Sequence, residues 1–405
     1  MHGRKITYLL LLVFHCAAAQ RMDYRTADSL TWKYYLAGEW AKLDSAGDLA
    51  LGDHVDYPYL RMRLGYSAFV NGNYSRSLLH YEKALKEDKG NSFAAYYLAQ
   101  NNRNLGRDDE AAFYASRTDD SLARKTGLRK YDLSRSADGE MSVGFPSVAT
   151  RSDAVYARFG FGTQIGWRLS MYNSVDVFRQ DFTSTLVDTA FRPPPGFPPP
   201  PHPPVKQVVE AVRQYRYYTK WNYQLNGHFS VWASGNFSKQ SDAGTISHFY
   251  IGMGGVNYAF AYGSISGESA YGKLEGNTFT QYGGSFVVYP SGNLGWYVFM
   301  HGALTNDGGR TGYDVTPGFG FSPGKKIWME ARVNFGNSQS YLSGEGYYFY
   351  RLIDQPVWSG TLSAGFPLGN NVQLMVHYNY SQSAQKDNNS NYYQNTITGG
   401  LSWKR

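Results

Sequence analysis

The feature that most constrains this chain is a succession of segments, each roughly ten residues long, in which apolar and polar residues alternate one for one from about residue 150 to the C-terminus. In the stretch from Val372 to Ser381, Val372, Leu374, Val376, Tyr378 and Tyr380 fall on one face, and Gln373, Met375, His377, Asn379 and Ser381 on the other. A period of two puts these sets on opposite sides of a β-sheet. Segments of this length match strands that cross a bilayer at a tilt. No apolar run reaches the roughly 18 residues expected of a spanning helix. Only helices and closed barrels satisfy the backbone in lipid, so a membrane-crossing form of this chain must be a closed β-barrel.

Composition supports that reading. Aromatics make up 17% of the residues and charged residues only 18%, below the soluble average of about a quarter. The mean hydropathy of −0.46 excludes a helical membrane protein but not a barrel, whose polar lumen offsets its lipid face. The net charge of +7 is scattered, with no basic cluster, so no nucleic-acid partner is expected.

The N-terminus reads as an export signal over residues 1–19. Arg4 and Lys5 form the positive region, Ile6 to Phe14 the apolar region, and Ala17-Ala18-Ala19 before Gln20 a cleavage site. The apolar stretch is shorter than the roughly 20 residues of a membrane anchor. Cys16 is the only cysteine, and His15 before it is too large for a lipidation site. The mature chain would therefore lack disulfides, thiolate metal sites and a cysteine nucleophile.

Residues 20–125 carry a repeat. Gly38, Gly72 and Gly106 are 34 residues apart, and so are Leu30, Leu64 and Leu98. The middle copy reads Leu64-Gly65, then Gly72-Asn73-Tyr74, then Tyr81-Glu82-Lys83-Ala84-Leu85; the third keeps Leu98, Gly106 and Ala111. This period and pattern resemble the tetratricopeptide repeat, with Ser77 where that family has Ala and Lys89 where it has Pro. The resemblance implies a small solenoid of helix pairs that bury one another's faces. It acts either as a protein-binding module or as a spacer. Residues 126–139 read as a linker and residues 140–405 as the barrel.

Turn signals such as Asn226-Gly227, Asn306-Asp307-Gly308-Gly309 and Pro367-Leu368-Gly369-Asn370 separate about 12–14 candidate strands in the barrel region. The phase of inner and outer turns breaks across residues 337–357, where one strand is miscounted. In the last segment Ile397, Gly399, Leu401 and Trp403 form one apolar face. This face resembles the C-terminal signal read by the barrel-assembly machinery of bacterial outer membranes, although Lys404 and Arg405 follow the aromatic residue. The proline-rich stretch 193–204 cannot be strand and reads as a loop, either a partner contact or a stiff surface excursion.

Catalytic motifs are missing. There is no phosphate loop, no H-E-x-x-H, no G-x-S-x-G and no metal-spaced Cys or His, so an enzyme, a cofactor and a metal are not expected. The glycines around Gly160 and Gly255 read as close strand packing. Charges on a lipid face would cost about 2–4 kcal/mol near the midplane, so Arg216, Lys220, Glu330, Arg332 and His377 should line the lumen. There they either close it with internal salt bridges, as between Glu330 and Arg332, or form a path for a polar solute.

The order of parts resembles the outer-membrane exporters of bacterial exopolysaccharides and the YaiO-type barrels, in which a repeat region precedes a C-terminal barrel. The fold expected is thus α + β multidomain, a helical solenoid followed by an antiparallel transmembrane β-barrel. The resemblance implies an outer-membrane location with the N-terminal domain in the periplasm. It also implies contact with outer-membrane lipid, a periplasmic protein partner for the repeats, and a role in transport, export or envelope assembly. The alternative is a non-conducting anchor or adhesion protein with a plugged barrel.

Overall fold

The computed structural model describes residues 21–129, 133–187, 205–242, 245–324, 326–351, 354–385 and 390–404. The export signal and the proline-rich stretch 193–204 lie outside these residues.

The helical region comprises α1 (Tyr24–Ala37), α2 (Trp40–Gly52), α3 (Pro58–Val70), α4 (Tyr74–Glu87), α5 (Ser92–Asn104), α6 (Asp108–Ala115) and α7 (Asp120–Thr126). Local chemistry sets the boundaries. Asp23, Asn73 and Asn91 cap α1, α4 and α5 by accepting from Thr26, Arg76 and Ala94 N–H groups at 2.8–2.9 Å. Pro58 occupies the first turn of α3, where its missing N–H is harmless. Gly38, Gly72 and Gly106 separate the helices of the first three pairs with φ of +68°, +74° and +72°. A β-carbon at Gly72 or Gly106 would meet nothing within 4 Å, so the left-handed backbone, not crowding, calls for glycine there.

Apolar side chains hold the pairs together. Ala27, Ala50, Leu60 and Leu64 form one cluster, and Leu78, Tyr81, Leu98 and Phe113 a second. Gly65 lets α3 lie against α4, because a β-carbon there would come within 2.7 Å of the Tyr81 ring. Ser77, buried between helices, donates to the Gly65 carbonyl at 2.7 Å and accepts from Asn101 Nδ2 at 2.8 Å. That relay across α3, α4 and α5 is a structural use for serine at this position.

The rest is a closed barrel of fourteen antiparallel strands. They are β1 (Ser134–Pro146), β2 (Ala154–Gln164), β3 (Leu169–Val187), β4 (Val205–Gln224), β5 (Phe229–Asp242), β6 (Thr245–Phe260), β7 (Gly263–Leu274), β8 (Asn277–Val288), β9 (Trp296–Asp307), β10 (Arg310–Gly324), β11 (Ile327–Gly336), β14 (Gln355–Pro367), β15 (Val372–Ala384) and β16 (Asn391–Lys404). The missing two, β12 (Ser340–Ser343) and β13 (Tyr348–Arg351), pair only with each other. β1 pairs with β16 from Ser136↔Lys404 to Pro146↔Gln394, closing the cylinder.

Alternation divides every wall. Phe159, Tyr217, Phe237, Leu304, Leu362 and Leu401 are exposed on the outside, while Arg158, Asp176, Arg216, Ser234, Asn236 and Gln281 are buried on the inside. An apolar, aromatic exterior around a polar interior suits a barrel in lipid. Inward glycines make room for large rings. A β-carbon at Gly160 would overlap the Tyr172 hydroxyl, and one at Gly255 would come within 2.6 Å of the Trp232 ring.

Two expectations need correction. β1 begins at Ser134, inside the segment read as linker, with Asp138 and Gly139 paired to Ser402 and Leu401. Ser136 and Asp138 face the interior here, so their polarity marks a lumen and not a loop. Between β11 and β14, the residues that broke the strand phase form the separate hairpin β12–β13, so no wall strand passes through them.

Candidate functional site

The hairpin comes from the end of the barrel opposite the helices and folds into the lumen. It springs from between β11 and β14 and crosses toward β4 and β5, seven strands away around a wall of fourteen. At its base, Ser340 Oγ donates to Asp307 Oδ2 at 2.8 Å. Farther in, Leu342 is fully buried in an apolar pocket of Trp232, Phe249, Ile251, Met253 and Phe279, with Phe349 packed alongside. Gln281 clips the same residue twice. Its Nε2 donates to the Leu342 carbonyl, and its Oε1 accepts from the Leu342 N–H, both at 2.9 Å.

The turn itself is Gly344-Glu345-Gly346, with φ of +60°, +60° and +87°. Tyr218 Oη and Ser234 Oγ both donate to the Glu345 carbonyl, at 3.1 and 2.8 Å. Lys220 forms an ion pair with the Glu345 carboxylate. Arg216 donates to the Tyr347 carbonyl at 2.8 Å and to Asp176 Oδ2 at 2.6 Å. Beside it the Arg158 guanidinium lies 3.6 Å from the centre of the Tyr347 ring and pairs with Glu140 at 2.8 Å. Tyr172 and Tyr347 hydroxyls both donate to Asp138, at 2.8 and 3.1 Å. The tip is thus held by side chains of five wall strands, β1 to β5.

The helices cover the other end, where both ends of the barrel sequence lie. Ser75 N–H donates to the Gly292 carbonyl at 3.0 Å, and Asn293 Nδ2 donates to the Gly72 carbonyl at 3.0 Å. Arg107 donates to the Gly263 carbonyl at 2.8 Å. Ala261 and Tyr262, in the turn between β6 and β7, join the apolar cluster of α4 to α6. Asp108 and Asp109, at the start of α6, reach into the mouth. Asp108 pairs with Arg135 of β1 at 3.3 Å and Lys404 of β16 at 2.5 Å. Asp109 pairs with Arg135 at 2.5 Å and accepts from Asn222 at 2.7 Å. Burial alone would raise the Asp108 carboxyl, but Lys404 and Arg135 bring it below the usual carboxylate range. Glu110 next to it is pushed up to about 7 by burial, with Asp109 adding to the rise.

The expected lumen residues separate into two groups. Arg216 and Lys220 meet the hairpin. Glu330, Arg332 and His377 sit on the interior face of β11 and β15, across the barrel. Glu330 accepts from Tyr297 Oη at 2.8 Å. His377 Nδ1 lies 2.8 Å from Ser363 Oγ. Of the repeat positions, Leu64, Tyr81, Ala84, Leu98 and Ala111 are buried, Tyr74 is half-buried, Gly65 seats the Tyr81 ring, and Gly72 and Gly106 shape turns. Gly399 and Leu401 face outward on β16, and Trp403 is half-buried. Sequence reasoning missed the hairpin's Leu342, Glu345 and Tyr347 and their receptors Tyr172, Tyr218 and Gln281. The available signal was the Gly-Glu-Gly turn flanked by Tyr341-Leu342 and Tyr347-Tyr348.

No family model matches the chain. The LPS-assembly protein LptD of Neisseria gonorrhoeae is 33% identical over 105 residues, 25% of this chain and 12% of that protein. LptD of Neisseria meningitidis serogroup B is 29% identical over 103 residues, again 12% of its length. The chain thus spans about an eighth of the curated relatives it matches. Among solved structures, a mutant of the monoaromatic hydrocarbon channel TodX has a TM-score of 0.46 at 8% identity, covering 67% of this chain and 90% of that one. A FadL homologue of Pseudomonas aeruginosa has a TM-score of 0.43 at 8% identity, covering 76% and 94%. Likeness at this level says nothing about cargo.

Proposed function

We propose that this protein is an outer-membrane conduit gated by the hairpin β12–β13 and served by a periplasmic tetratricopeptide-like domain. The observation that carries the reading is the means of closure. The lumen holds a separate element that enters from one end and is fixed by Leu342 and Phe349 in an apolar pocket, by hydrogen bonds and by the Lys220–Glu345 ion pair. Such an element can leave without breaking the strand ladder, as movable plugs and lids do.

The loops support an orientation. Bacterial outer-membrane barrels carry their longer loops outside and short turns in the periplasm, and the two longest connections between wall strands, 187–205 and 336–355, lie at the end away from the helices, which supports a periplasmic helical domain. The exposed Trp32, Tyr59, Leu79 and Phe93 of its helices are candidate contacts for a periplasmic protein partner, and the face of Gly399, Leu401 and Trp403 is a candidate signal for the barrel-assembly machinery. Transport, export or envelope assembly is the role supported, with a polysaccharide as the cargo implied by the architecture. The local similarity to LPS-assembly proteins is in keeping with envelope assembly.

The second reading, a non-conducting anchor, draws on the double closure by hairpin and helices. Liposome swelling separates the two. Proteoliposomes carrying the full chain should be tight to small neutral solutes. A chain with residues 340–351 replaced by a short Gly/Ser bridge should admit them. Tight vesicles in both cases, with a heat-modifiable barrel, would leave the anchor.

A further inference from the structure

The wall that holds the hairpin reads peptide chemistry. Five hydrogen bonds from wall side chains go to main-chain atoms of the hairpin. Gln281 spans the N–H and the carbonyl of Leu342, the two bonds that a paired residue of a neighbouring antiparallel strand would supply. Tyr218 and Ser234 both donate to the Glu345 carbonyl, and Arg216 donates to the Tyr347 carbonyl. Side-chain contacts add selectivity. An apolar pocket takes Leu342, Lys220 takes the Glu345 carboxylate, and the Arg158 guanidinium covers the Tyr347 ring. In peptide recognition, main-chain bonds give affinity that tolerates sequence change, and pockets give specificity.

Three features open this seat to a segment other than the hairpin. β12 and β13 are four residues each and pair only with each other. A lone two-stranded hairpin is marginal in water, so the seat supplies much of the order of its occupant. The hairpin also leaves part of the seat unused. Trp232 Nε1 and Asn236 Nδ2, both buried, donate to none of the described residues, and an occupant that offers them acceptors recovers that loss. Finally, the turn borders a cavity of about 400 Å³ that reaches the helical cap, with Tyr218, Lys220 and Glu345 in its wall beside Asp108 and Asp109. A segment entering there meets Tyr218 and Lys220 before the hairpin has left. We propose that the seat is a binding site for a foreign polypeptide turn, and that the hairpin is its resident substitute. The chemistry recognised is an apolar residue, then a carboxylate in a left-handed turn, then an aromatic residue, at the spacing of Leu342, Glu345 and Tyr347. The incoming polypeptide opens the gate and is not the cargo. The proposal rests on the gated-conduit reading and names the partner that works its gate.

The test is fluorescence anisotropy with two labelled peptide rings. The first carries the sequence of residues 340–351, closed by a disulfide between added terminal cysteines so that the turn is preformed. The second is unrelated in sequence and keeps only an apolar residue, a Gly-acid-Gly turn and an aromatic residue at the same spacing. Each is titrated with the full chain and with the chain in which a Gly/Ser bridge replaces residues 340–351. Both rings should bind the bridged chain saturably and within about tenfold of each other. They should bind the unaltered chain at least roughly tenfold more weakly, because its own hairpin holds the seat. Leu342→Asp in the first ring should weaken binding by roughly tenfold or more, and Gln281→Ala in the bridged chain by about fivefold or more. Should the bridged chain not fold, the unaltered chain decides. Excess second ring should raise its open probability in a planar bilayer at least roughly tenfold by displacing the hairpin, and the Leu342→Asp ring should not. No binding of either ring, binding of the resident sequence alone, or binding indifferent to both substitutions would overturn the assignment. Binding is read without conductance, so the two failures separate. Conductance steps from the bridged chain without ring binding would discard the site and keep the conduit. Ring binding to a bridged chain that stays silent would keep the site and discard the gate.

Discussion

Two regions of the lumen, the mouth under the helices and the hairpin inside the barrel, are held by different physics. At the mouth under the helices, charge does most of the work, as Asp108 and Asp109 bridge to Arg135 and Lys404 at the seam between first and last strands and Asp109 also accepts from Asn222 of β4. Inside the barrel, closure rests on Leu342 buried among Trp232, Phe249 and Phe279, on the Gln281 clip, and on hydrogen bonds to the turn backbone. The first kind weakens with salt over a Debye length of about 8 Å at physiological ionic strength. The second rests mainly on burial and backbone hydrogen bonds, so it is less sensitive to salt and specific in shape. On the proposed reading, a cap that responds to ionic conditions and a hairpin held mainly by shape are separable controls on one conduit.

The largest expected effect comes from removing the inner closure outright. Replacing residues 340–351 by a short bridge should convert a silent protein into one with stable conductance steps. Next is Leu342→Asp, which sets a carboxylate among aromatic rings at a cost of several kcal/mol if it stays buried. The hairpin should leave the lumen instead, seen as protease cleavage within residues 340–351 with the barrel intact.

Glu110 sharpens the contrast at the cap. Its folded-state value of about 7 lies above the ordinary 4.5, so the folded protein binds the extra proton. Stability from this group is full below pH 4.5 and is lost as pH rises through 7, on the order of 3 kcal/mol in all. The melting temperature of the helical domain should fall across that window, and Glu110→Gln should flatten the fall. Gln281→Ala removes both bonds to the Leu342 backbone and should loosen the hairpin by about 1–3 kcal/mol, read as brief openings in current records. The smallest effect belongs to Lys220→Met. The Lys220–Glu345 pair is partly exposed, with side-chain exposures of 24% and 37%, and should contribute only about 0–1 kcal/mol.

Much of the fold was legible because period-two alternation is a local signal. The faces of Val372–Ser381 could be read residue by residue. Spacing alone marked Gly38, Gly72 and Gly106, each of which has a left-handed backbone. The hairpin was not legible as a plug. Leu342 and Phe349 look like lipid-facing residues, and only the fold shows that their apolar surroundings are inside the barrel, where Trp232, Phe249 and Phe279 converge from three strands. The partners of Glu345 and Tyr347 lie more than a hundred residues away in sequence, beyond the reach of spacing or turn chemistry. The broken phase across 337–357 was the one trace the plug left.

Single-channel recording on the full chain and on the chain without residues 340–351, in planar bilayers at the same salt, tests the gate most directly. The expected result is a closed full-length protein with rare openings and long-lived ohmic steps once the hairpin is gone. Identical silence from both, with both barrels folded, would contradict the gate and make the hairpin part of a permanently sealed anchor.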